Sequence, residues 1–243
     1  MTAKRSILAL SAGIALVTLL SACASGPSTA GSTPSSAPSS SASASGEEVE
    51  VEAAWLNGGT MIGLVSYGSS TCVPTVDTVE VADGGTLSVT LADPEPDTPC
   101  TMDYVPRVTL VDVPADVDPS QDLKVEVTGD GFTATAELDG IEVGEAPDEY
   151  GPTAGWTGED DSFVILTWGS STCAPVIESV EPTGPAEVTV TFMTPPADQV
   201  CTMDMAPRGT LATVSGLEAD SGVELVLTGG EFTGARVVIL GEK

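Results

Sequence analysis

Hydrophobic and polar residues alternate along several short segments of this chain. The alternation is strict at Thr86–Leu91 and Glu187–Phe192, where every second residue is apolar. A period of two residues is typical of a strand with one buried face. Comparable β-rich runs, separated by Gly, Pro and Asp, are Ile62–Tyr67, Val76–Val81, Arg107–Val113, Leu123–Thr128 and Thr133–Leu138, with counterparts running from Phe163–Trp168 to Gly234–Leu240. No uninterrupted amphipathic pattern of ten or more residues follows residue 46, so the sequence predicts an all-β protein.

The body of the chain contains an internal duplication. Two blocks recur with an offset of 101 residues, namely Gly68–Pro74 as Gly169–Pro175 and Cys100–Arg107 as Cys201–Arg208. Trp55 and Trp156 share this offset. Such self-similarity predicts a repeated folding unit, and we expect two β domains, 47–145 and 146–243. About six strands in each domain favour tandem antiparallel β-sandwiches of immunoglobulin-like size, with small β-barrels as the alternative.

The first 46 residues predict an export signal and a tether. Lys4 and Arg5 precede an uncharged, mostly apolar run of 15 residues, Ser6–Leu20, which is shorter than the roughly 20 residues that span a bilayer. The segment Leu20–Cys23 resembles the lipobox of bacterial lipoproteins, which implies cleavage after residue 22 and a diacylglyceryl group on the Cys23 sulfur. The alternative is an ordinary secretory signal with an incidental Cys23. Residues 24–46 contain only Ser, Ala, Gly, Pro and Thr, as expected for a flexible tether that spans about 25 Å on average.

The other four cysteines form two pairs with equal spacing. Cys72 and Cys100 are 28 positions apart, as are Cys173 and Cys201. Four cysteines permit three connectivities, and the equal spacing favours one disulfide within each repeat. An exported protein reaches the oxidising compartment where such bonds persist. A zinc site is the competing interpretation, but the chain has no histidine and no Cys-x-x-Cys pair.

Composition excludes several classes of function. The chain has 243 residues, with 7 basic side chains, 36 acidic side chains and no histidine. This balance argues against nucleic-acid binding, which requires an excess of Lys and Arg. The lack of histidine removes the commonest general base, and Lys124 and Lys243 are the only lysines after residue 46 for a Ser–Lys arrangement. We therefore expect a protein that is not an enzyme and uses no cofactor.

Calcium is the one metal that this composition would suit, because it takes oxygen ligands. The nearest pattern is the acidic run Asp93–Asp97, but Thr98 stands where a helix-loop-helix calcium loop requires Gly. Its counterpart Thr194–Asp198 keeps a single acid. We assign no metal site from this pattern, and weak calcium binding stays open.

The duplicated blocks supply the candidate binding residues, which combine hydroxyl groups, a carboxylate and a guanidinium beside each disulfide. They are Ser69, Ser70, Thr71, Asp103 and Arg107 in the first repeat and Ser170, Ser171, Thr172, Asp204 and Arg208 in the second. Such a cluster suits a peptide or a fragment of the cell wall. The structural alternative is that the hydroxyls and the Asp satisfy turn backbone groups, while each Arg pairs with a nearby carboxylate.

The repeated blocks also resemble segments of lipoproteins from high-GC Gram-positive bacteria, which carry a Gly-Ser-Ser-x-Cys turn and a later Cys-Thr-x-Asp. The resemblance implies no activity, but it implies a position on the outer face of the cytoplasmic membrane. Our hypothesis is a lipid-anchored, non-catalytic protein of the cell envelope that has either a binding role, with an unidentified ligand, or a spacing role. Its expected partners are the membrane, through the anchor, and an envelope protein or wall component. The alternatives are a sensory accessory module that contacts a membrane partner, and a calcium-dependent adhesin.

Overall fold

The computed structural model describes residues 47–48, 51–82, 84–92, 94–95, 97–129, 131–144, 147–158 and 161–243. The predicted signal peptide 1–22, the lipidated Cys23 and the tether to residue 46 lie outside these residues. Across the described ranges, no helix is long and apolar enough to cross a membrane.

The described residues form fifteen strands and one short 3-10 turn, Asn57–Gly59, so the all-β prediction is confirmed. The strands are β1 (Glu47–Glu48), β2 (Glu52–Leu56), β3 (Met61–Gly68), β4 (Thr75–Val81), β5 (Leu87–Ala92), β6 (Val105–Asp112), β7 (Leu123–Gly129), β8 (Phe132–Leu138), β9 (Thr153–Trp156), β10 (Ser162–Gly169), β11 (Ile177–Gly184), β12 (Glu187–Phe192), β13 (Ala206–Thr213), β14 (Glu224–Gly229) and β15 (Phe232–Leu240).

Each repeat arranges its strands in two groups around one hydrophobic core. In the first repeat, one sheet has the order β2-β3-β6 and the other has the order β1-β8-β7-β5-β4. The core contains side chains from both sheets, including Trp55, Ile62, Leu87 and Val125. In the second repeat, the groups β9-β10-β13 and β11-β12-β14-β15 enclose a second core. The two groups of this repeat are joined into one open sheet by parallel pairing of β15 with β9.

The prediction of purely antiparallel sheets is wrong, because the sheets are mixed. β5 pairs in parallel with β7, and β12 pairs in parallel with β14. The reason is the chain path. β6 follows β5 and precedes β7 in the chain but lies in the other sheet of the first repeat. In the second repeat, β13 follows β12 and precedes β14 but lies in the other strand group, β9-β10-β13. A chain that returns through the opposite layer re-enters the first sheet in its original direction. This crossover gives the path a coil like that of a β-solenoid.

A third hydrophobic cluster joins the two repeats. It contains Ala54, Leu56, Met61 and Val65 from the first repeat and Val164 and Leu166 from the second. β3 and β10 are therefore buried on both faces over their first six residues, which explains why they read as continuous apolar runs rather than alternating ones. The described residues of both repeats belong to one compact unit. The boundary between domains 47–145 and 146–243 stays a prediction.

The contact between the repeats is close enough to require glycine. A Cβ atom added to Gly155 on β9 would lie 2.0 Å from the backbone oxygen of Trp55 on β2. Nearby, the Asn57 backbone N–H donates to the Thr153 hydroxyl at 3.0 Å. The inner strands β2 and β9 of the two repeats thus pack closely against each other. Each repeat carries its disulfide-linked loops at the end of a strand pair, β3 with β6 or β10 with β13.

Candidate functional site

The predicted cluster of each repeat lies at one end of an antiparallel strand pair. β3 ends at Gly68, which pairs with Val105 at the start of β6. The chain that leaves β3 and the chain that enters β6 therefore start as neighbours. A disulfide joins them between Cys72 and Cys100, with a Cα–Cα distance of 5.5 Å. The second repeat places Gly169 against Ala206 in the same way.

The second disulfide joins Cys173 to Cys201 with a Cα–Cα distance of 5.6 Å. The prediction of one bridge within each repeat is therefore confirmed. Both distances lie within the range that a disulfide bond requires.

In the first repeat, hydrogen bonds hold the candidate residues together. The Ser69 and Thr101 hydroxyl oxygens are 2.8 Å apart, and the Thr101 backbone N–H donates to the Thr71 hydroxyl at 3.0 Å. The Ser70 backbone N–H donates to Asp103 Oδ1 at 3.1 Å, and the Thr101 hydroxyl donates to the same oxygen. The cluster thus crosslinks the two loop segments next to their disulfide.

The second repeat reproduces this network. The Ser170 and Thr202 hydroxyl oxygens are 2.8 Å apart, the Thr202 backbone N–H donates to Thr172 at 3.1 Å, and the Ser171 backbone N–H donates to Asp204 at 3.1 Å. Thr202, like Thr101, was not among the predicted site residues, although both stand directly after a duplicated cysteine. Both threonines lie inside the repeated block Cys100–Arg107 and Cys201–Arg208, and this repetition was the signal that could have identified them.

The two carboxylates are held in their charged form. Hydrogen bonds from Ser70 and then Thr101 lower the pKa of Asp103 to about 2. Hydrogen bonds from Thr202 and then Ser171 lower the pKa of Asp204 further below the usual range of an aspartate. Hydrogen bonds to a carboxylate favour its ionised state because each donor compensates its charge.

Each arginine fixes the backbone of the turn. The Arg107 guanidinium donates to the carbonyl oxygens of Cys72 at 2.6 Å and Tyr67 at 3.3 Å. It lies across Gly68, where an added Cβ would be 2.7 Å from the guanidinium carbon. Glycine is therefore needed at this position because the guanidinium occupies the space of a side chain.

Arg208 makes the equivalent contacts in the second repeat. It donates to the carbonyl oxygens of Cys173 at 3.1 Å and Trp168 at 2.9 Å. It also pairs with Glu231, and its side chain is only 6% exposed. Its Nε is buried and has no hydrogen-bond partner among the described residues.

These contacts favour the structural role for most of the predicted cluster. Its hydroxyls, carboxylates and guanidinium groups bond mainly to one another and to turn carbonyls. The same loops also leave apolar side chains in solvent, with Met102 and Met203 fully exposed at equivalent positions. Tyr104 and Met205 follow two residues later and are also exposed.

A pocket lies beside the Cys173–Cys201 disulfide in the second repeat. Its volume is about 350 Å³, within the range of roughly 300–1,000 Å³ that is common for ligand pockets. Apolar groups form most of its wall, and these are Ala174, Pro175, Val176, Met193, Pro195 and Pro196. Ser170, Gln199, Arg208 and Glu231 supply the polar groups.

The sequence did not reveal this pocket because its wall comes from four separate segments of the chain. The segments around Cys173, Met193, Cys201 and Glu231 meet only in the folded structure. The first repeat differs at the matching positions. With the offset of 101, Ala92 aligns with Met193 and Glu95 with Pro196. Near the end of each repeat the offset is 100, as Val127–Gly129 and Leu227–Gly229 show, so Gly131 aligns with Glu231. The duplicated framework is therefore shared, whereas the wall of this pocket belongs to the second repeat.

Metal binding finds no support in the part of the chain that the structure describes. No group of three or more His, Cys, Asp or Glu side chains there is arranged to hold a metal ion. The calcium candidate Asp93–Asp97 includes residues outside the described ranges.

Comparisons with protein-family models, with curated proteins and with solved structures give no significant match to this chain.

Proposed function

We propose that this protein is a lipid-anchored, non-catalytic component of the cell envelope that binds a ligand in the pocket beside Cys173–Cys201. The pocket is the observation that carries the binding role. It combines an apolar wall with a few convergent polar groups, which is the usual composition of a ligand site.

The exposed apolar residues near the pocket support the same assignment. Val176 and Met193 line it and are more than half exposed, and Val200 and Met203 flank Cys201 and are almost fully exposed. Clustered exposed apolar groups mark interaction sites in soluble proteins. Methionine adapts its shape to a partner because its side chain is unbranched and flexible.

Support for the envelope location comes from the sequence of the first 23 residues and from the disulfides. Leu20–Cys23 has the lipobox pattern, and we propose that Cys23 carries the lipid on the outer face of the cytoplasmic membrane. The two disulfides suit an oxidising compartment. Two acyl chains would give lasting attachment, whereas one chain binds membranes only marginally.

A binding role agrees better than catalysis with the chemistry of the site. Ser170 and Thr172 bond to Thr202, and the chain has no histidine to activate either hydroxyl. The nearest carboxylate of the cluster, Asp204, is held ionised by its donors, which is unsuited to a general acid.

In architecture, we propose that each repeat is a two-layer β-sandwich. Support comes from the two cores, each of which receives side chains from both strand groups of its repeat. On this proposal the solenoid-like crossover is a connection between the two layers.

Site-specific photocrosslinking in intact cells tests the binding role. A photoreactive amino acid replaces Met193 in the pocket wall, and the matched control replaces Ala92, its counterpart in the first repeat. We expect a discrete adduct from position 193 and much less from position 92. Equal yields at both positions, or no adduct at either, would contradict the proposal.

Labelling with an alkyne analogue of palmitate tests the anchor separately. We expect lipid incorporation in the unaltered protein and its loss in Cys23→Ser, together with release of the protein from the membrane fraction. Retention of label in Cys23→Ser would show that the lipid is attached elsewhere.

A further inference from the structure

The charge distribution around the pocket indicates which kind of ligand it accepts. The described residues contain five basic side chains, and all of them already contact acidic side chains or backbone carbonyls. Lys124 contacts Glu126, Arg236 contacts Glu187 and Glu224, and Lys243 contacts Asp161 and Asp220. Arg107 and Arg208 hold the turns described above.

Arg208 is the single basic residue in the pocket wall, and it is not accessible as an anion-binding group. It is almost fully buried, and its donors go to the carbonyl oxygens of Cys173 and Trp168 and to the Glu231 carboxylate. An anionic ligand such as a phosphate-bearing wall polymer would therefore meet no exposed cation in this pocket.

The exposed charged side chains at and beside the pocket are acidic. Glu231 lines the pocket and is 52% exposed, and its Oε1 pairs with Arg208. Asp198 is exposed and stands in the sequence between the wall residues Pro196 and Gln199. In a chain with 36 acidic and 7 basic side chains, the wider field also attracts cations and repels anions.

One observation favours a polypeptide over a small cation. Val200 and Met203, which stand close to the wall residue Cys201 in the same loop, have exposed apolar side chains. A polypeptide, unlike a small cation, can make apolar contacts with these side chains as well as with the pocket wall.

We propose that the pocket binds a basic, apolar segment of a polypeptide, with an apolar side chain among Val176, Met193 and the prolines and a Lys or Arg beside Asp198 and Glu231. This inference rests on the proposed binding role of the pocket. Asp198 and Glu231 are its specificity residues, because they select the charge of the ligand while the apolar wall provides the contact area.

Fluorescence anisotropy with synthetic peptides tests this proposal on the purified protein that starts at residue 24. The probes are end-blocked, dye-labelled peptides with the same Leu-Pro-Leu centre, flanked on both sides by Lys, by Gln or by Glu. We expect the Lys-flanked peptide to bind about two- to fivefold more tightly than the Gln-flanked one, since an exposed charge pair contributes up to about 1 kcal/mol. The Glu-flanked peptide should bind most weakly.

Three variants separate the charge effect from the contact effect. Asp198→Asn should remove much of the advantage of the Lys-flanked peptide and leave the Gln-flanked one unchanged. Met193→Ala should weaken both peptides. Glu80→Gln, an exposed acid on β4 in the first repeat, is the matched control and should change neither Kd. Circular dichroism confirms that each variant is folded.

The outcomes distinguish this proposal from the proposed function. Equal affinity for the three peptides, tighter binding of the Glu-flanked peptide, or no binding of any of them would overturn the basic-segment proposal. An adduct at position 193 in the crosslinking experiment would still support a binding pocket in each of those cases. If no adduct forms at position 193 and the Lys-flanked peptide also shows no preference, both proposals are overturned.

Discussion

At the scale of single residues, the duplicated block is best explained as a device that fixes a turn. Asp103 accepts from the Ser70 backbone and the Thr101 hydroxyl, and Arg107 donates to the carbonyl oxygens of Tyr67 and Cys72. The sequence identified most of these residues, because a duplication keeps what its folding unit requires. It could not separate folding from binding, since either role preserves the same side chains.

The carboxylate of Asp103 makes the stability of the turn depend on acid. Its folded pKa is about 2, below the ordinary value of 3.8, so its hydrogen bonds contribute fully above about pH 4 and are lost as the pH falls towards 2. We expect Asp103→Asn to have a lower Tm than the unaltered protein at pH 7 and a smaller difference at pH 2. Scanning calorimetry across this range measures both curves. A difference that does not change with pH would contradict this role. The effect should be small because the carboxyl group is solvent-exposed.

Gly169 should be intolerant of a side chain. A Cβ at this position would lie 2.8 Å from the guanidinium carbon of Arg208, so Gly169→Ala must displace a buried group that holds the turn. We expect a loss of about 1–3 kcal/mol in the free energy of unfolding, measured by urea denaturation. Gly144→Ala is the control, since an added Cβ there meets nothing within 4 Å. Equal effects of the two substitutions would show that the contact with Arg208 is unimportant.

At the scale of elements, alternation located the outer strands well and the inner strands less well. β12 matches its predicted bounds, and β5 differs from its predicted bounds by one residue. β2 and β9 were missed as strands because they are short and almost wholly buried, so they show no polar face. The parallel pairing of β5 with β7 was also missed, because local patterns do not report which sheet the intervening β6 joins.

The pocket was missed for a related reason. Its wall depends on long-range contacts among four segments, and its most informative residue, Glu231, aligns with a glycine in the first repeat. Comparison of the repeats can find such positions only after the fold has shown that they face the same cavity.

The second disulfide should maintain the pocket as well as the fold. Cys173 and Cys201 both line the cavity, and their bond joins two of its segments. We expect the double substitution Cys173→Ser and Cys201→Ser to cost about 3–4 kcal/mol in the chain-entropy model and to weaken binding of the Lys-flanked peptide. The matched change, Cys72→Ser with Cys100→Ser, should destabilise to a similar extent but spare the affinity of the folded protein. Equal losses of affinity in both variants would argue against a local role for Cys173–Cys201.

At the scale of the whole molecule, the shared cluster between the repeats should make them unfold together. Leu56 and Val65 of the first repeat and Val164 and Leu166 of the second are buried against one another. Separation of the repeats would expose these side chains to water, at about 1.5–3 kcal/mol for each fully buried Val or Leu. Neither repeat should therefore persist as a stable folded body after the other has unfolded.

Tryptophan fluorescence tests this cooperativity, because each repeat has one buried reporter. Trp168→Phe combined with Trp156→Phe leaves only Trp55, in the first core. Trp168→Phe combined with Trp55→Phe leaves only Trp156, in the second core. We expect Val164→Ala to lower the urea midpoints of both reporters by the same amount, since Val164 lies in the shared cluster although it belongs to the second repeat. Val89→Ala, in the first core alone, should also shift both midpoints if unfolding is two-state. Separate midpoints, with only the altered repeat shifted, would instead indicate two independent domains joined by a weak contact.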